Sequence, residues 1–272
     1  RRSEPAWSEK LGHPRRNVLV FHGYGGIGKS SLSRELERQY LEGDAEGSVP
    51  RVAVRVDFSE PSARDGELYL LALRAGLSRL TSTFPAFDSA LAIYWSRQHP
   101  GTPVTEFVQQ QTVLGGVTDR SRLVGQLREF TQDLLDSAGP AVGAARRLIG
   151  LSWETIRNSH TIRQLRDHSP FYEQCVTESD LDILRLHLPL LLAWDLNQLK
   201  DQADIEVAVF LDTFEHVTHG RGKARKQNLE DTIARSAFFL PTTAFLVTTR
   251  RQLTWADPHR SATLEFARPE LW

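Results

Sequence analysis

A run of glycines closing on a lysine and a serine is the part of this chain best suited to chemistry. Gly23-Tyr24-Gly25-Gly26-Ile27-Gly28-Lys29-Ser30 fits the spacing G-x-x-x-x-G-K-[ST]. Glycines in that pattern let the backbone turn with positive φ and bring successive N–H groups up to phosphate oxygens, where a side chain would obstruct them. Gly23 opens the pattern, and Gly25, Gly26 and Gly28 shape the cradle. A helix starting near Lys29 points the positive end of its dipole at the same anion. The Lys29 ammonium is then placed to reach the β- and γ-phosphates, and the Ser30 hydroxyl to ligate Mg²⁺. Ile27 and Ser31 belong to the same cofactor-binding loop. Ile27 is expected to pack inward and Ser31 to start the helix, neither with a catalytic part.

A phosphate cradle needs a metal partner. The run Val207 to Leu211 ends in Asp212, a carboxylate at the C-terminal edge of an expected buried strand, where open α/β sheets place their ligands. Asp212 is the expected metal acid, holding Mg²⁺ directly or through water, although a strand-ending Asp that caps a turn is the plainer reading. Glu215, three residues on, is placed to orient or deprotonate an attacking water. Position 213, where many hydrolytic proteins carry that glutamate, is Thr213 here. His216 reads as a solvent-facing or supporting residue. Thr248-Thr249-Arg250 ends the next expected strand, and a guanidinium at that edge suits a terminal phosphate. Arg250 is therefore the expected sensor of triphosphate against diphosphate, and Arg251 a surface charge.

These residues need a scaffold that brings positions 30 and 212 together. Val18-Leu19-Val20-Phe21 is a continuous apolar run ending at Gly23, the pattern of a buried parallel strand followed by a tight turn. Leu32, Leu36 and Tyr40 recur every four residues, which predicts a helix from Lys29 to about Glu42 with those three on one face. Val52 to Asp57 is a second strand, so the chain begins strand, loop, helix, strand. The same grammar returns at Val207 to Asp212 and at Ala244 to Thr248, with Thr263 to Phe266 as an expected edge strand. Residues from about 65 to 204 read as mostly helical. Leu123, Leu127, Phe130 and Leu134 mark one amphipathic helix; Leu181, Leu184, Leu188, Leu191 and Leu192 mark another, which Pro189 is expected to kink or to divide. Gly115-Gly116 and Ser137 to Pro140 are the clearest breaks in that region.

Composition closes off several function classes. Of 272 residues 40% are hydrophobic and 25% charged, so the chain has the means to bury a core and is not a disordered or collagen-like polymer. A formal charge of -1 gives no whole-chain basic field for nucleic acid or an anionic membrane. The local run Arg221, Lys223, Arg225 and Lys226, interleaved with Gly220 and Gly222, reads as a solvated loop, and nucleic acid is not the expected partner. No stretch reaches the ~18 apolar residues of a membrane span. The single Cys175 cannot form an internal disulfide and reads as a buried small hydrophobe, which fits a reducing, cytoplasmic setting. Residues 1–16 are polar, carry Pro5 and Pro14, and read as a linker from an upstream domain; the absence of methionine fits a piece of a longer chain.

The segments 23–32, Val209-Phe210-Leu211-Asp212-Thr213-Phe214-Glu215 and Phe245 to Arg250 together resemble the nucleotide-binding module of the STAND proteins, signal-transduction ATPases that include the NB-ARC and NACHT groups. The three motifs stand in the family's order, and an acid three residues after Asp212 is more like NACHT than NB-ARC. The resemblance covers roughly residues 17–60 and 205–272. It implies an α/β P-loop NTPase over residues 17–272, with a mostly parallel sheet of the additional-strand type flanked by helices. The strand bearing Arg250 should lie between those bearing the glycine loop and Asp212, and residues of about 65–204 form a large helical insertion. It also implies a switch: ADP-bound at rest, exchanging to ATP with Mg²⁺, forming a homo-oligomer when activated, hydrolysing slowly, and coupled to sensor and effector domains of the same chain in signalling or defence. An AAA-type remodelling ATPase and a non-hydrolysing nucleotide-binding scaffold are the alternatives.

Overall fold

The elements follow from where the apolar runs can be buried. The computed structural model describes residues 14–43, 49–111, 117–137, 156–157, 159–169, 171–218 and 223–255. In chain order these form β1 (Val18–His22), α1 (Lys29–Glu42), β2 (Arg51–Asp57), a 3-10 turn (Pro61–Arg64), α2 (Gly66–Leu77), α3 (Pro85–Gln98), α4 (Val104–Gln110), α5 (Val117–Ser137), α6 (His160–His168), α7 (Tyr172–Val176), α8 (Leu181–Gln202), β3 (Glu206–Asp212), α9 (Glu215–Thr218), α10 (Lys223–Phe239) and β4 (Ala244–Thr249). The chain divides into two compact units, one of residues 1–76 and 199–272 and one of residues 77–198.

The first unit carries the sheet. Its four strands are all parallel, in the order β1-β4-β3-β2. The first two strands in sequence are thus not neighbours; β4 and β3 lie between them, with Val18 against Phe245, Ala208 against Ala244 and Val52 against Val207. The central β3 and β4 are buried along almost their whole length, as expected of apolar runs covered on both faces. Each fully buried Val, Leu or Phe there contributes about 1.5–3 kcal/mol. On one face Phe21, Ala208, Phe210 and Leu246 pack with Leu36 and Tyr40 of α1. On the other Val52, Val54 and Val56 are buried, and α2 approaches so closely that a Cβ on Gly76 would lie 2.4 Å from a Val54 methyl. Asn17 joins the start of β1 to the turn before β4: its amide donates to the carbonyls of Ala237, Leu240 and Thr243 at 3.0, 2.9 and 3.1 Å.

The regular elements among the described residues of the unit of residues 77–198 are all helices. The middle of α3 is buried almost all round, from Ala86 to Trp95. Its first turn is capped by another helix: the buried Asp195 of α8 accepts the backbone N–H groups of Ala86 and Phe87 at 3.2 and 2.9 Å, using a carboxylate where the helix dipole favours one. Leu123, Leu127, Phe130 and Leu134 of α5 are all buried, the stripe their spacing predicts. Cys175 is buried, which pushes its thiol up to about 12.

Several expectations need revision or fall outside the description. Leu32 is not on the packed face with Leu36 and Tyr40; it is 44% exposed, and the neighbouring Ser33 is the residue buried in that part of α1. Pro189 does not divide its helix, since α8 runs unbroken from Leu181 to Gln202. Proline lacks the N–H for one helical bond, but the buried Leu188, Leu191 and Leu192 around it hold the helix by packing. Lys223, Arg225 and Lys226 are not in a loop: the glycines at 220 and 222 lie just ahead of α10, which begins at Lys223. Gly115-Gly116, Arg221 and the expected strand Thr263 to Phe266 lie outside the described residues. Among those described, no helix is long and apolar enough to cross a membrane.

Candidate functional site

The C-terminal edges of β1, β3 and β4 and the start of α1 border one cleft of about 330 Å³. Gly25, Gly26, Gly28, Lys29, Ser30 and Ser31 line one side, and Thr213, Glu215, Thr248 and Arg250 line the other. All belong to the unit that contains the sheet. Every residue expected at the site borders this cleft except Gly23, Ile27 and Asp212; Asp212 reaches it through Ser30 and Thr248.

The loop owes its course to its glycines. Gly26 and Gly28 have φ of +82° and +87°, left-handed values that cost an ordinary residue about 1 kcal/mol or more, and a Cβ on either would meet nothing within 4 Å. The backbone therefore turns beside open space at both glycines. Gly28 caps α1 in the left-handed conformation with no side-chain acceptor, and the first turn of α1 carries no acid, so the positive end of the helix faces the cleft unneutralised. Lys29 folds back across the loop, its ammonium donating to the carbonyls of Gly23 and Tyr24 at 2.8 and 2.7 Å. Gly23 Nα–H in turn donates to the Thr249 carbonyl at 3.3 Å, which ties the loop's first residue to β4.

Ile27 departs from its expected inward packing. It sits between the two left-handed glycines and is turned outward, 62% exposed, with its Cδ1 over Gly23 at 2.7 Å from where a Cβ would stand. The exposed Ile27 end can shift aside, so what holds Gly23 to glycine is its φ of +153°. Ser31 is the third residue of α1, exposed at the cleft wall.

Asp212 is 1% exposed, and its carboxylate is almost completely engaged. Oδ1 accepts the Ser30 hydroxyl at 2.9 Å, the Thr213 N–H at 3.0 Å and the Thr248 hydroxyl. Oδ2 faces the Arg55 guanidinium, with Nη1 at 3.6 Å. Residues 182 positions apart are thereby brought into hydrogen-bond contact beside the glycine loop. A buried charge is tolerated when it is paired and hydrogen-bonded in this way.

Thr213 has φ +58°, the one positive value among the described non-glycine residues. A β-branched residue there is strained by about 1–3 kcal/mol and persists because its neighbours determine it. Its N–H is shared between Asp212 Oδ1 and Thr248 Oγ1 at 3.1 Å, and its hydroxyl donates to Asp57 Oδ1 at 2.9 Å. Burial alone would raise the Asp57 carboxyl. The Ser59 backbone N–H and hydroxyl, the Thr213 hydroxyl and the Arg34 charge outweigh that and hold it below the ordinary value.

At the outer end of the cleft, Arg250 Nε and Glu215 Oε1 form an ion pair at 2.8 Å. The guanidinium also lies 3.6 Å from where a Gly25 side chain would begin, so it leans over the loop. Arg250 is exposed and Glu215 nearly buried. His216 is half-buried and is not among the residues lining the cleft, and Arg251 is exposed.

Sequence reasoning missed the parts played by Thr248, Arg55 and Asp57 and the engagement of the Thr213 hydroxyl. The alternation of β2 was the available signal for two of them. With Val52, Val54 and Val56 on the buried face, Arg55 and Asp57 must share the opposite face with Asp212, their neighbour in register.

A larger depression of about 770 Å³ lies in the unit of residues 77–198. Its principal cation is already taken: Arg79 is fork-bonded to Asp119 at 3.0 and 2.7 Å, which raises the Arg79 pKa through that hydrogen bond and the Asp119 charge. The cleft around the glycine loop is the candidate site, because a lysine, an open helix start, left-handed glycines and a hydroxyl paired with a carboxylate converge only there among the described residues. Comparison of the chain with protein-family models, with curated proteins and with solved structures finds no match.

Proposed function

We propose that this cleft binds the phosphates of ATP and ADP with Mg²⁺, and that the chain is the nucleotide-binding module of a STAND-type P-loop switch that hydrolyses ATP slowly. The observation that carries the reading is the 2.9 Å hydrogen bond from Ser30 to Asp212 beside a glycine loop whose two left-handed residues open onto the cleft. The strand order, with β4 between β1 and β3, supports it as the arrangement expected of the additional-strand P-loop class.

The donor set fits a magnesium ion. Among the described residues no three His, Cys, Asp or Glu side chains converge, so the protein offers one hydroxyl and one carboxylate. Mg²⁺ characteristically takes one or two protein oxygens and completes its shell from phosphates and water. With Oδ1 of Asp212 saturated by Ser30, Thr213 and Thr248, this carboxylate would act chiefly by orienting the Ser30 hydroxyl and accepting from water. When bound, the ion would neutralise charge on the transferring phosphate. Lys29, released from the Gly23 and Tyr24 carbonyls, would exchange them for phosphate oxygens. Glu215 is the carboxylate positioned to accept a proton from an attacking water, and Arg250 the guanidinium positioned to pair with a terminal phosphate.

A non-hydrolysing scaffold is the second reading, and Thr213 favours it: at the position directly after Asp212 the side chain is committed to Asp57 and carries no base. Denaturing the purified protein and identifying released nucleotide by chromatography, followed by single-turnover assays, distinguishes the two. Bound ADP with measurable hydrolysis of added ATP supports the switch. Bound nucleotide with no turnover supports the scaffold, and absence of any nucleotide binding defeats both.

A further inference from the structure

The strand alternation that buries Val52, Val54 and Val56 turns Arg55 toward α1 and the Asp212 side of the sheet. The guanidinium lies 5.3 Å from the Phe210 ring centre and is held from α1 by two groups: Glu37 Oε2 accepts from Nε at 2.5 Å and Ser33 Oγ from Nη2 at 3.2 Å. Its third nitrogen, Nη1, is buried, hydrogen-bonds to no described group, and stands 3.6 Å from Asp212 Oδ2. One cation is thus shared between two acids. Glu37 holds it at hydrogen-bond distance, while Asp212 has it just beyond, on the oxygen that Ser30 does not use.

That sharing has an electrostatic consequence. A positive charge beside Asp212 weakens the pull of that carboxylate on any cation at Ser30, and the effect is large in a buried, poorly solvated setting. Glu37 limits it by drawing the guanidinium toward α1. We propose that Arg55 is a positioning residue that sets the divalent-cation affinity of the Ser30–Asp212 pair, with Glu37 as its counterweight. The inference rests on the nucleotide reading above. Arg55 touches neither the loop nor the cleft, so it acts only through Asp212.

The test is a Mg²⁺ titration of the binding of a fluorescent ATP analogue, reading the Mg²⁺ concentration at half-maximal binding. Arg55→Gln lowers that concentration by about three- to tenfold, because Asp212 loses its competing cation. Glu37→Gln raises it by about threefold, because the guanidinium is released onto Asp212. Arg55→Lys returns it to within about twofold of wild type. Arg38→Gln, which removes an exposed cation on the same helix, leaves it unchanged. A merely structural role for Arg55 predicts that Arg55→Gln and Glu37→Gln weaken binding together or change nothing, and either result overturns the proposal. If Arg55→Gln does not fold, Glu37→Gln and Arg55→Lys carry the test, and a Glu37→Gln protein with unchanged or stronger Mg²⁺ dependence overturns it. Wild-type binding that ignores Mg²⁺ overturns it while leaving phosphate binding intact, whereas wild type that binds no nucleotide defeats the reading beneath it.

Discussion

The two ends of the cleft are built on opposite principles. At the deep end Asp212 is 1% exposed, and three donors and a guanidinium fix its carboxylate. At the outer end Arg250 is 62% exposed in its side chain and is held to Glu215 by one ion pair at 2.8 Å. Buried and fully hydrogen-bonded charges are costly to disturb, whereas an exposed pair contributes little and rearranges at little cost. The deep end is therefore preorganised before a ligand arrives. The outer end keeps a cation and a carboxylate that can change partners, and in the proposed switch those are the groups nearest the phosphate that distinguishes ATP from ADP.

The contrast can be broken most severely at its rigid end. Asp212→Ala leaves the Ser30 and Thr248 hydroxyls without their acceptor and the Thr213 N–H with Thr248 Oγ1 alone, while Arg55 keeps Glu37 and Ser33, so it should lower stability by about 3 kcal/mol. Equilibrium urea unfolding checks this, and a loss below about 1 kcal/mol would mean that the deep end is not held as described.

A smaller effect belongs to Asp57, which supports Thr213 from behind. Asp57→Asn keeps an oxygen for the Thr213 hydroxyl and the Ser59 N–H but removes the charge that strengthens both bonds, at a cost of about 1 kcal/mol near neutral pH. Its pH dependence sharpens the point. The folded carboxyl is held below its ordinary value, so the unfolded chain takes up the proton first as pH falls. The contribution of Asp57 is therefore complete above the usual carboxylate range and is lost as pH drops through the folded value. The wild-type and Asp57→Asn unfolding curves should converge on acidification, and a gap that stays constant to acid pH would contradict the assignment.

The outer end should hardly register in stability. Arg250→Ala and Glu215→Gln are each expected to change unfolding free energy by no more than about 1 kcal/mol, because the Arg250 end of the pair is 62% exposed, although Glu215 is nearly buried. Their effects should appear instead in the ratio of ATP to ADP affinity, read by competition titration. A stability loss comparable with that of Asp212→Ala would erase the distinction between the two ends.

How legible this was in the sequence depended on whether a residue's surroundings were local. The start of α1 at Lys29 and its end at Glu42 follow from a glycine loop and a four-residue apolar repeat, all within twenty positions. The burial of β3 follows from its unbroken apolar run. Ile27 was misread because its orientation is set by left-handed turns at Gly26 and Gly28, which the sequence permits without specifying. Leu32 keeps the four-residue spacing but falls outside the face that Ser33, Leu36 and Tyr40 turn inward. Pro189 carries a strong local signal for a break that buried leucines on either side override. Thr213 commits its hydroxyl to Asp57, 156 positions earlier, a partnership invisible without the strand register.

Phosphate binding at the glycine loop is the claim on which the rest depends, and calorimetric titration of Mg²⁺ and ATP into wild type and Lys29→Ala tests it directly. Lys29 spans the loop through two hydrogen bonds to exposed or half-buried carbonyls, so its removal should leave thermal unfolding nearly unchanged. Wild type should bind one nucleotide per chain, and Lys29→Ala should bind on the order of 100-fold more weakly, reflecting the loss of a charge-assisted phosphate contact. Equal affinity in the two proteins, or no saturable binding by wild type, would contradict the account.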